Sequence, residues 1–181
     1  MRATYRSRFA LIGSMNPEEG FLRPQILDRF GLRVMVAGLE DPAQRMQVYE
    51  RVRAFRANPR VFIRSFEEEM YLARQDVIAA RDRLDSVTIS PEAEQLGLWL
   101  VQELSIHSHR AEFTMFEAAR AYAALDARDC ATVEDLRTVA PLALRMRRSR
   151  FIDEFFTKQQ GEDEEISRLF ERLEGEIADK P

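Results

Sequence analysis

Residues 9–20 of this 181-residue chain read FALIGSMNPEEG, a short apolar run followed by a dense cluster of turn residues. The run at 9–13 has no polar alternation, which is typical of a strand buried on both faces of a sheet. The Ser-Met-Asn-Pro-Glu-Glu-Gly stretch that follows is rich in the residues that turn a chain. The stretch therefore predicts a buried strand, with Asn16 near the point where the strand ends.

A short helix and a second strand are predicted next. Residues 23–30, RPQILDRF, favour a helix with Pro24 near its first position and Gly31 as its stop. Residues 32–37, LRVMVA, alternate and are rich in β-branched residues, so they predict a strand. This order of elements indicates a parallel sheet, and because two strands cannot form one alone, we expect further strands upstream.

From residue 41 onward the pattern is helical almost throughout. Asp41 followed by Pro42 is an N-cap with proline at the first helical position, and it predicts a helix to about Ala57 that Asn58-Pro59 interrupts. Further helices are predicted over 60–84, from the Ser90 cap through Leu104, over 110–125, and from Thr132 to about 148. The tail from about 161 is acidic, with helically spaced apolar residues at Ile166, Leu169, Phe170, Leu173 and Ile177.

The composition excludes several classes of protein. Apolar residues make up 45% of the chain and charged residues 32%, with a net charge of −4, which is typical of a folded protein that does not bind nucleic acid. A single cysteine, Cys130, rules out an internal disulfide framework, and we expect it to be a plain small residue in a turn between helices. No apolar run approaches the roughly 20 residues of a membrane span, and the N-terminus lacks the apolar region of a secretory signal. We therefore expect a cytoplasmic protein.

The same opening block carries a family resemblance. Residues 11–20, LIGSMNPEEG, and 22–31, LRPQILDRFG, closely resemble the sensor-1 and arginine-finger block of the I-type ATPase subunits of magnesium chelatase, which are AAA+ proteins. Generic AAA+ proteins do not share the Asn-Pro-Glu-Glu-Gly spelling, and a weaker resemblance extends to about residue 148.

The resemblance implies a mainly α fold, in which a short remnant of an AAA+ parallel α/β core, with two strands, precedes a helical AAA+ lid domain. The implied division is 1–40 for the C-terminal end of the core, 41–150 for the lid and 151–181 for an acidic helical tail.

The resemblance also implies roles for the block's polar residues. Asn16 would act as sensor 1 and orient the attacking water, although by its own chemistry it could equally shape an Asn-Pro turn. Arg29 would be the arginine finger that stabilises charge on the γ-phosphate bound by a neighbouring subunit. Asp28 would hold the subunit interface. Arg23 is the competing candidate for the finger, since it lies in the same block.

A third candidate lies at the start of the helix predicted over 110–125. Many AAA+ lids carry a sensor-2 arginine at such a helix N-terminus, where backbone N–H groups also favour a phosphate, so Arg110 is the expected cofactor-binding residue. Ser108 and His109 depart from the family's usual Gly-Pro spelling, which leaves the turn geometry open. Arg145 and Arg147 are the rivals, and their simpler interpretation is as cations at a helix C-terminus.

Other polar residues fit catalytic or metal sites poorly. His107 and His109 are two residues apart, so they cannot both point the same way in a helix, and no carboxylate or cysteine completes a zinc set. Glu18 and Glu19 diverge as adjacent residues and are expected to be interface or surface groups.

What the sequence lacks limits what it can do alone. It contains no Gly-x-x-x-x-Gly-Lys-[Ser/Thr] motif and no apolar run ending in Asp-Glu, so ATP and Mg²⁺ are expected as cofactors of the full-length protein and none for this chain by itself. The implied function is an ATPase motor that drives Mg²⁺ insertion into protoporphyrin IX, for chlorophyll or bacteriochlorophyll.

The implied partners are other copies in a ring, expected to be a hexamer, together with D-type and porphyrin-binding chelatase subunits. Two alternatives remain at this stage. One is a MoxR-like AAA+ chaperone, and the other is a non-catalytic scaffold fragment of a D-type chelatase subunit.

Overall fold

The computed structural model describes residues 9–16, 18, 20, 22–148, 158–159, 161–170 and 172, and over these it is mainly helical, as predicted. In chain order the elements are α1 (Pro24–Leu27), α2 (Pro42–Ala57), α3 (Pro59–Arg64), α4 (Glu67–Leu84), β1 (Thr88–Ile89), α5 (Pro91–Glu103), α6 (Arg110–Leu125), β2 (Cys130–Ala131) and α7 (Val133–Leu144). The described residues of the tail, 158–159, 161–170 and 172, are helical as well, and we call them the tail helix. None of the helices in the described part of the chain is long and apolar enough to span a membrane.

The predicted helix starts are confirmed by their caps. The Asp41 side chain accepts a hydrogen bond from the Ala43 backbone N at 3.1 Å, and Ser90 Oγ accepts one from the Ala93 N at 3.2 Å. Each satisfies an N–H group that has no partner inside its helix. Thr132 opens α7 through a capping box with Asp135.

Three helices differ from the prediction in extent. The helix expected over 60–84 is broken between α3 and α4, where the Ser65 hydroxyl donates to the Phe62 carbonyl at 2.7 Å and competes with the backbone ladder. The helix expected to reach 148 ends at Leu144, because Arg145 adopts an extended backbone conformation. The short helix of the opening block is a single turn, α1.

The positions predicted for the two strands are wrong. Residues 9–13 and 32–37 form no strand, and the two strands of the described chain are β1 and β2, which pair in parallel through Thr88 with Cys130 and Ile89 with Ala131. A strand requires hydrogen bonds to a neighbouring strand, and neither predicted segment has such a neighbour among the described residues. Cys130 is therefore an exposed strand residue rather than a residue of a plain turn.

The core is built around α6, which packs on α4, α5 and α7. Its buried residues include Met115, Ala119 and Ala123, spaced by four so that they form one face of the helix. The two alanines allow close approach of the neighbouring helices, and Met115 is among the largest fully buried side chains of the described residues. Gly97 of α5 lies against α6, since a Cβ atom there would lie 2.6 Å from Phe116 Cε1. Helices α2, α3 and α4 contribute no fully buried residue, and the predicted boundary at 40/41 stays a prediction.

A buried carboxylate fixes the start of α7 to the turn before β2. Asp135 is 2% exposed, and its oxygens lie 2.5 and 2.7 Å from the Arg128 guanidinium. Asp135 Oδ2 also accepts a hydrogen bond from the Thr132 backbone N at 2.7 Å. The hydrogen bonds from Arg128 lower the pKa of Asp135 below its ordinary value, and those from Thr132 act in the same direction.

We expect Asp135→Asn to lower the free energy of unfolding by about 2 kcal/mol at neutral pH, because hydrogen bonds to a charged group are lost. A lowered pKa gives stability that is present above the unfolded-state pKa of about 3.9 and is lost as the pH falls through the folded-state value. The difference in the free energy of unfolding between the wild type and Asp135→Asn should therefore narrow below about pH 4. Urea unfolding at several pH values measures it, with the exposed Glu134→Gln as control.

Candidate functional site

Asp28 is the centre of the site. It lies in the turn directly after α1, which is closed by hydrogen bonds from Arg29 N to Ile26 O and from Phe30 N to Leu27 O, both at 3.1 Å. Its Oδ2 accepts hydrogen bonds from Ser108 Oγ at 3.1 Å and Arg110 Nη1 at 3.2 Å.

The other carboxylate oxygen, Asp28 Oδ1, accepts a hydrogen bond from Arg147 Nη1 at 2.6 Å. The structure thus brings together the predicted residues Asp28 and Arg110, and adds Arg147, which the sequence offered only as a rival for sensor 2. We call Asp28, Ser108, Arg110 and Arg147 the Asp28 cluster.

Arg147 is buried within this cluster, with a side chain only 1% exposed. Besides Asp28, its guanidinium donates to the Ala143 carbonyl at 2.6 Å, the Gly31 carbonyl at 3.1 Å and the Phe30 carbonyl at 3.3 Å. Burial lowers the pKa of Arg147, and the charge of Asp28 opposes that shift. With its donors turned to the end of α7 and to the segment after α1, Arg147 ties these two parts of the chain together.

Arg33 makes a second buried link that the sequence did not reveal. It is 7% exposed, and its guanidinium donates to the carbonyls of Arg145 and Leu27, each at 2.6 Å. Its backbone N also donates to the Leu142 carbonyl at 2.8 Å. Burial lowers the pKa of Arg33, and the nearby charge of Arg147 lowers it further. The only sequence signal was an arginine inside the apolar stretch 32–37, where a charge must find partners.

Arg29 contrasts with these buried arginines. Its side chain is exposed, and within the described part of the chain it makes no hydrogen bond or ion pair. Because Asp28 is fixed by the cluster, the adjacent Arg29 is carried on an anchored turn. A guanidinium in this setting is free to meet an anion from another molecule. Arg23 is also exposed.

Asn16 makes its described side-chain hydrogen bond outside the Asp28 cluster. Its Oδ1 accepts a hydrogen bond from the Glu18 backbone N at 3.2 Å, which is the Asx-turn geometry of a residue that shapes its own turn. Its side chain is exposed and has no hydrogen bond to Asp28 or Arg110. The segment before Asn16 does approach the block, since a Cβ atom on Gly13 would lie 3.6 Å from Phe30 Cε1.

His109 precedes Arg110 in the chain, and its described hydrogen-bond partner lies on α6 rather than in the Asp28 cluster. His109 is exposed, and its Nδ1 lies 3.0 Å from Glu112 Oε2 on the first turn of α6. Across the described ranges, no group of three or more His, Cys, Asp or Glu side chains is placed to hold a metal ion.

Comparison with known proteins adds family information to this geometry. Residues 100–169 match the AAA lid domain. The chain is 44% identical over 153 residues to a magnesium-chelatase subunit ChlI homolog of Methanocaldococcus jannaschii, covering 83% of this chain and 42% of that protein. It is 35% identical over 169 residues to the magnesium-chelatase subunit ChlI of Olisthodiscus luteus, covering 93% of this chain and 49% of that protein.

A third relative, the magnesium-chelatase 38 kDa subunit of Chlorobaculum tepidum, is 36% identical over 170 residues, covering 93% of this chain and 43% of that protein. The chain therefore spans less than half the length of these curated relatives. In fold, it is similar to the crystal structure of a proposed ATPase from Cytophaga hutchinsonii, with a TM-score of 0.50 and 22% identity over 70% of this chain and 41% of that one.

Proposed function

This chain resembles the magnesium chelatase ATPase subunits of the AAA+ family over most of its length, and on that premise we propose that it is the sensing and trans-acting part of such a motor. In this proposal Arg110 contacts the phosphates of ATP bound to the same subunit, while Arg29 reaches the ATP of a neighbouring subunit in a ring. Hydrolysis then drives Mg²⁺ insertion into protoporphyrin IX, together with D-type and porphyrin-binding subunits.

The observation that carries the proposal is the Asp28 cluster. Asp28 binds Arg110 at the start of α6 and Arg147 after the end of α7. The turn that bears Arg29 is therefore fixed to the start of one lid helix and to the end of another. A motion of the lid that follows nucleotide binding would therefore move Arg29 as well. This mechanical link is what a ring ATPase needs in order to pass a signal from its own site to the next one.

The geometry favours Arg110 over Arg147 as the phosphate-binding residue. The Arg110 side chain is 58% exposed and stands at the N-terminus of α6, and within the described residues its one ion pair is with Asp28 at 3.2 Å. A phosphate can replace or share that partner, and the N–H groups of the first turn favour the same anion. Arg147 is buried and committed to its carbonyl and carboxylate acceptors, so it cannot reach a ligand without breaking the fold there.

Asn16 retains its proposed sensor-1 role on the strength of the family resemblance. As a neutral donor and acceptor it could orient the attacking water once nucleotide is bound. Its bond to the Glu18 N uses Oδ1, and the amide NH2 group has no hydrogen-bond partner among the described residues. The Mg²⁺ of the nucleotide has no ligand set among the described residues, so the proposal gives this chain phosphate contacts and no metal ligands.

The proposal is tested in a chimera that joins this chain to the part of the Methanocaldococcus jannaschii relative that it does not cover. We expect this chimera to bind and hydrolyse ATP, and the chain alone to bind none in calorimetry. Micromolar binding by the chain alone, or a folded chimera without ATPase activity, would contradict the proposal.

Arg110→Ala in the chimera is expected to weaken ATP binding by roughly tenfold, the loss of one charge-assisted hydrogen-bonded contact. Calorimetric titration with a non-hydrolysable ATP analogue measures the affinity. Arg81→Ala, which removes an exposed arginine from α4, is the matched control. If Arg110→Ala changed neither the affinity nor the turnover, Arg110 would not be sensor 2.

A further inference from the structure

An apolar groove lies between α5 and α7, and at the end of α7 it is lined by Arg145 and Arg148, which flank the buried Arg147 in sequence. Its volume is about 590 Å³. Its floor and walls are apolar side chains from the two helices and from the C-cap of α5, chiefly Leu96, Leu100, Leu104, Leu136, Ala140 and Leu144. A groove of this size and composition on a folded domain is suited to an apolar partner rather than to water.

The rim of the groove is basic. Arg137, Arg145 and Arg148 line it. The side chains of Arg145 and Arg148 make no hydrogen bond or ion pair among the described residues, and Arg137 has only the exposed Glu134 at 3.0 Å. An apolar floor with an unneutralised basic rim selects a partner that is both apolar and acidic.

The tail helix has this complementary character. Ile166, Leu169 and Phe170 are spaced so that they share one face of the helix, and they are 59%, 41% and 65% exposed. Asp163 lies one turn before Ile166 on the same face, is exposed, and has no ion-pair partner within the described ranges. Glu164, on the opposite face, is already paired with Arg168 at 3.1 Å.

We propose that the tail helix seats in the α5–α7 groove of its own chain, with Ile166, Leu169 and Phe170 on the apolar floor and Asp163 against the basic rim. Arg148 lines the groove, and the tail helix is described from Lys158, ten residues further along the same chain. Because groove and helix belong to one chain, their contact is intramolecular, which favours the chain's own helix over a second copy at micromolar protein. The lid domain match, which runs to residue 169, treats the tail as part of the same domain.

Hydrogen–deuterium exchange of the amides of 161–170 in the full chain tests the proposal. We expect these amides to exchange at least tenfold more slowly in the wild type than in Leu96→Glu, which places a charge on the groove floor at a position that is 42% exposed and so tolerates it. Leu169→Glu should release the helix to the same degree. Circular dichroism shows whether each variant keeps the lid folded.

A charge exchange sharpens the test. Asp163→Arg and Arg148→Glu should each speed exchange several-fold, and the two together should restore protection. Glu164→Arg makes the same charge change on the opposite face and should leave exchange nearly unaltered.

Equal exchange in the wild type, in Leu96→Glu and in Leu169→Glu would overturn the proposal. So would protection that disappears on dilution together with a dimer in light scattering, since a second copy would then be the occupant.

Discussion

Arg29→Ala is expected to lower the ATP turnover of the chimera by about 10³- to 10⁵-fold while leaving its affinity for nucleotide nearly unchanged. The physical reason is that a finger supplied by a neighbour acts on charge that develops in the transition state and contributes little to ground-state binding. Arg29 makes no ion pair in the described chain, so its removal should not disturb the fold. Steady-state turnover and calorimetric affinity, measured on the same preparation, separate the two effects.

Arg23→Ala is the matched control for this change, because Arg23 is also an exposed arginine of the opening block. Its turnover should stay close to that of the wild type. Mixing Arg29→Ala subunits with subunits that cannot bind ATP adds a second readout. If the finger acts in trans, losing Arg29 should stop hydrolysis only at the interface where that subunit faces its neighbour's ATP. Turnover that survives in Arg29→Ala and collapses in Arg23→Ala would assign the finger to Arg23.

The sequence predicted the helices well because their starts depend on local chemistry. Asp41 and Ser90 each cap a helix with proline at its first position, and both signals need only a few adjacent residues. The predicted helix ends at Ala57, Leu84 and Leu125 agree with the structure, and what the sequence missed is the end of α7 and one internal break. The break at Ser65 follows from a side-chain bond to a carbonyl one turn back, which an uninterrupted apolar periodicity does not reveal.

Strand positions were wrong for a different reason. Strands exist through their neighbours, and the β1–β2 pair joins Thr88 to Cys130, residues far apart in sequence. Each strand is two residues long, too short to carry an alternating pattern. By contrast, residues 9–13 have the composition of a strand but lack a pairing partner in the described chain. Their composition alone therefore led to the wrong prediction of a strand.

The site shows the same division between local and distant information. Asp28, Arg29 and Arg110 were chosen through a family resemblance, and the structure places Asp28 beside Arg110 although 82 residues separate them. The anchoring roles of Arg147 and Arg33 depend on burial, which only the folded chain defines. An arginine near a helix end looks the same in sequence whether it is solvated or buried against carbonyls.

Asp28→Ala is expected to destabilise the chain by about 3 kcal/mol, because it leaves the guanidinium of Arg147 buried without its carboxylate. Arg147→Met should lower the free energy of unfolding by less, because it removes the buried guanidinium that needs a carboxylate partner. Asp28 then remains beside the exposed Arg110. For the same reason, adding Arg147→Met to Asp28→Ala should recover part of the lost stability. Urea unfolding followed by circular dichroism gives the three free energies.

The control is Arg110→Ala, which removes the half-exposed partner of Asp28 and should cost less than about 1 kcal/mol. A graded result, large for Asp28→Ala, smaller for the double variant and small for Arg110→Ala, would mean that the buried Arg147 is what makes Asp28 indispensable. If Asp28→Ala cost no more than Arg110→Ala, the link between the Arg29 turn and the lid would have to rest on Arg33 and its carbonyl acceptors. In that case the lid could move without carrying Arg29 through Asp28, and the signalling role proposed for the cluster would fail while the finger itself could still stand.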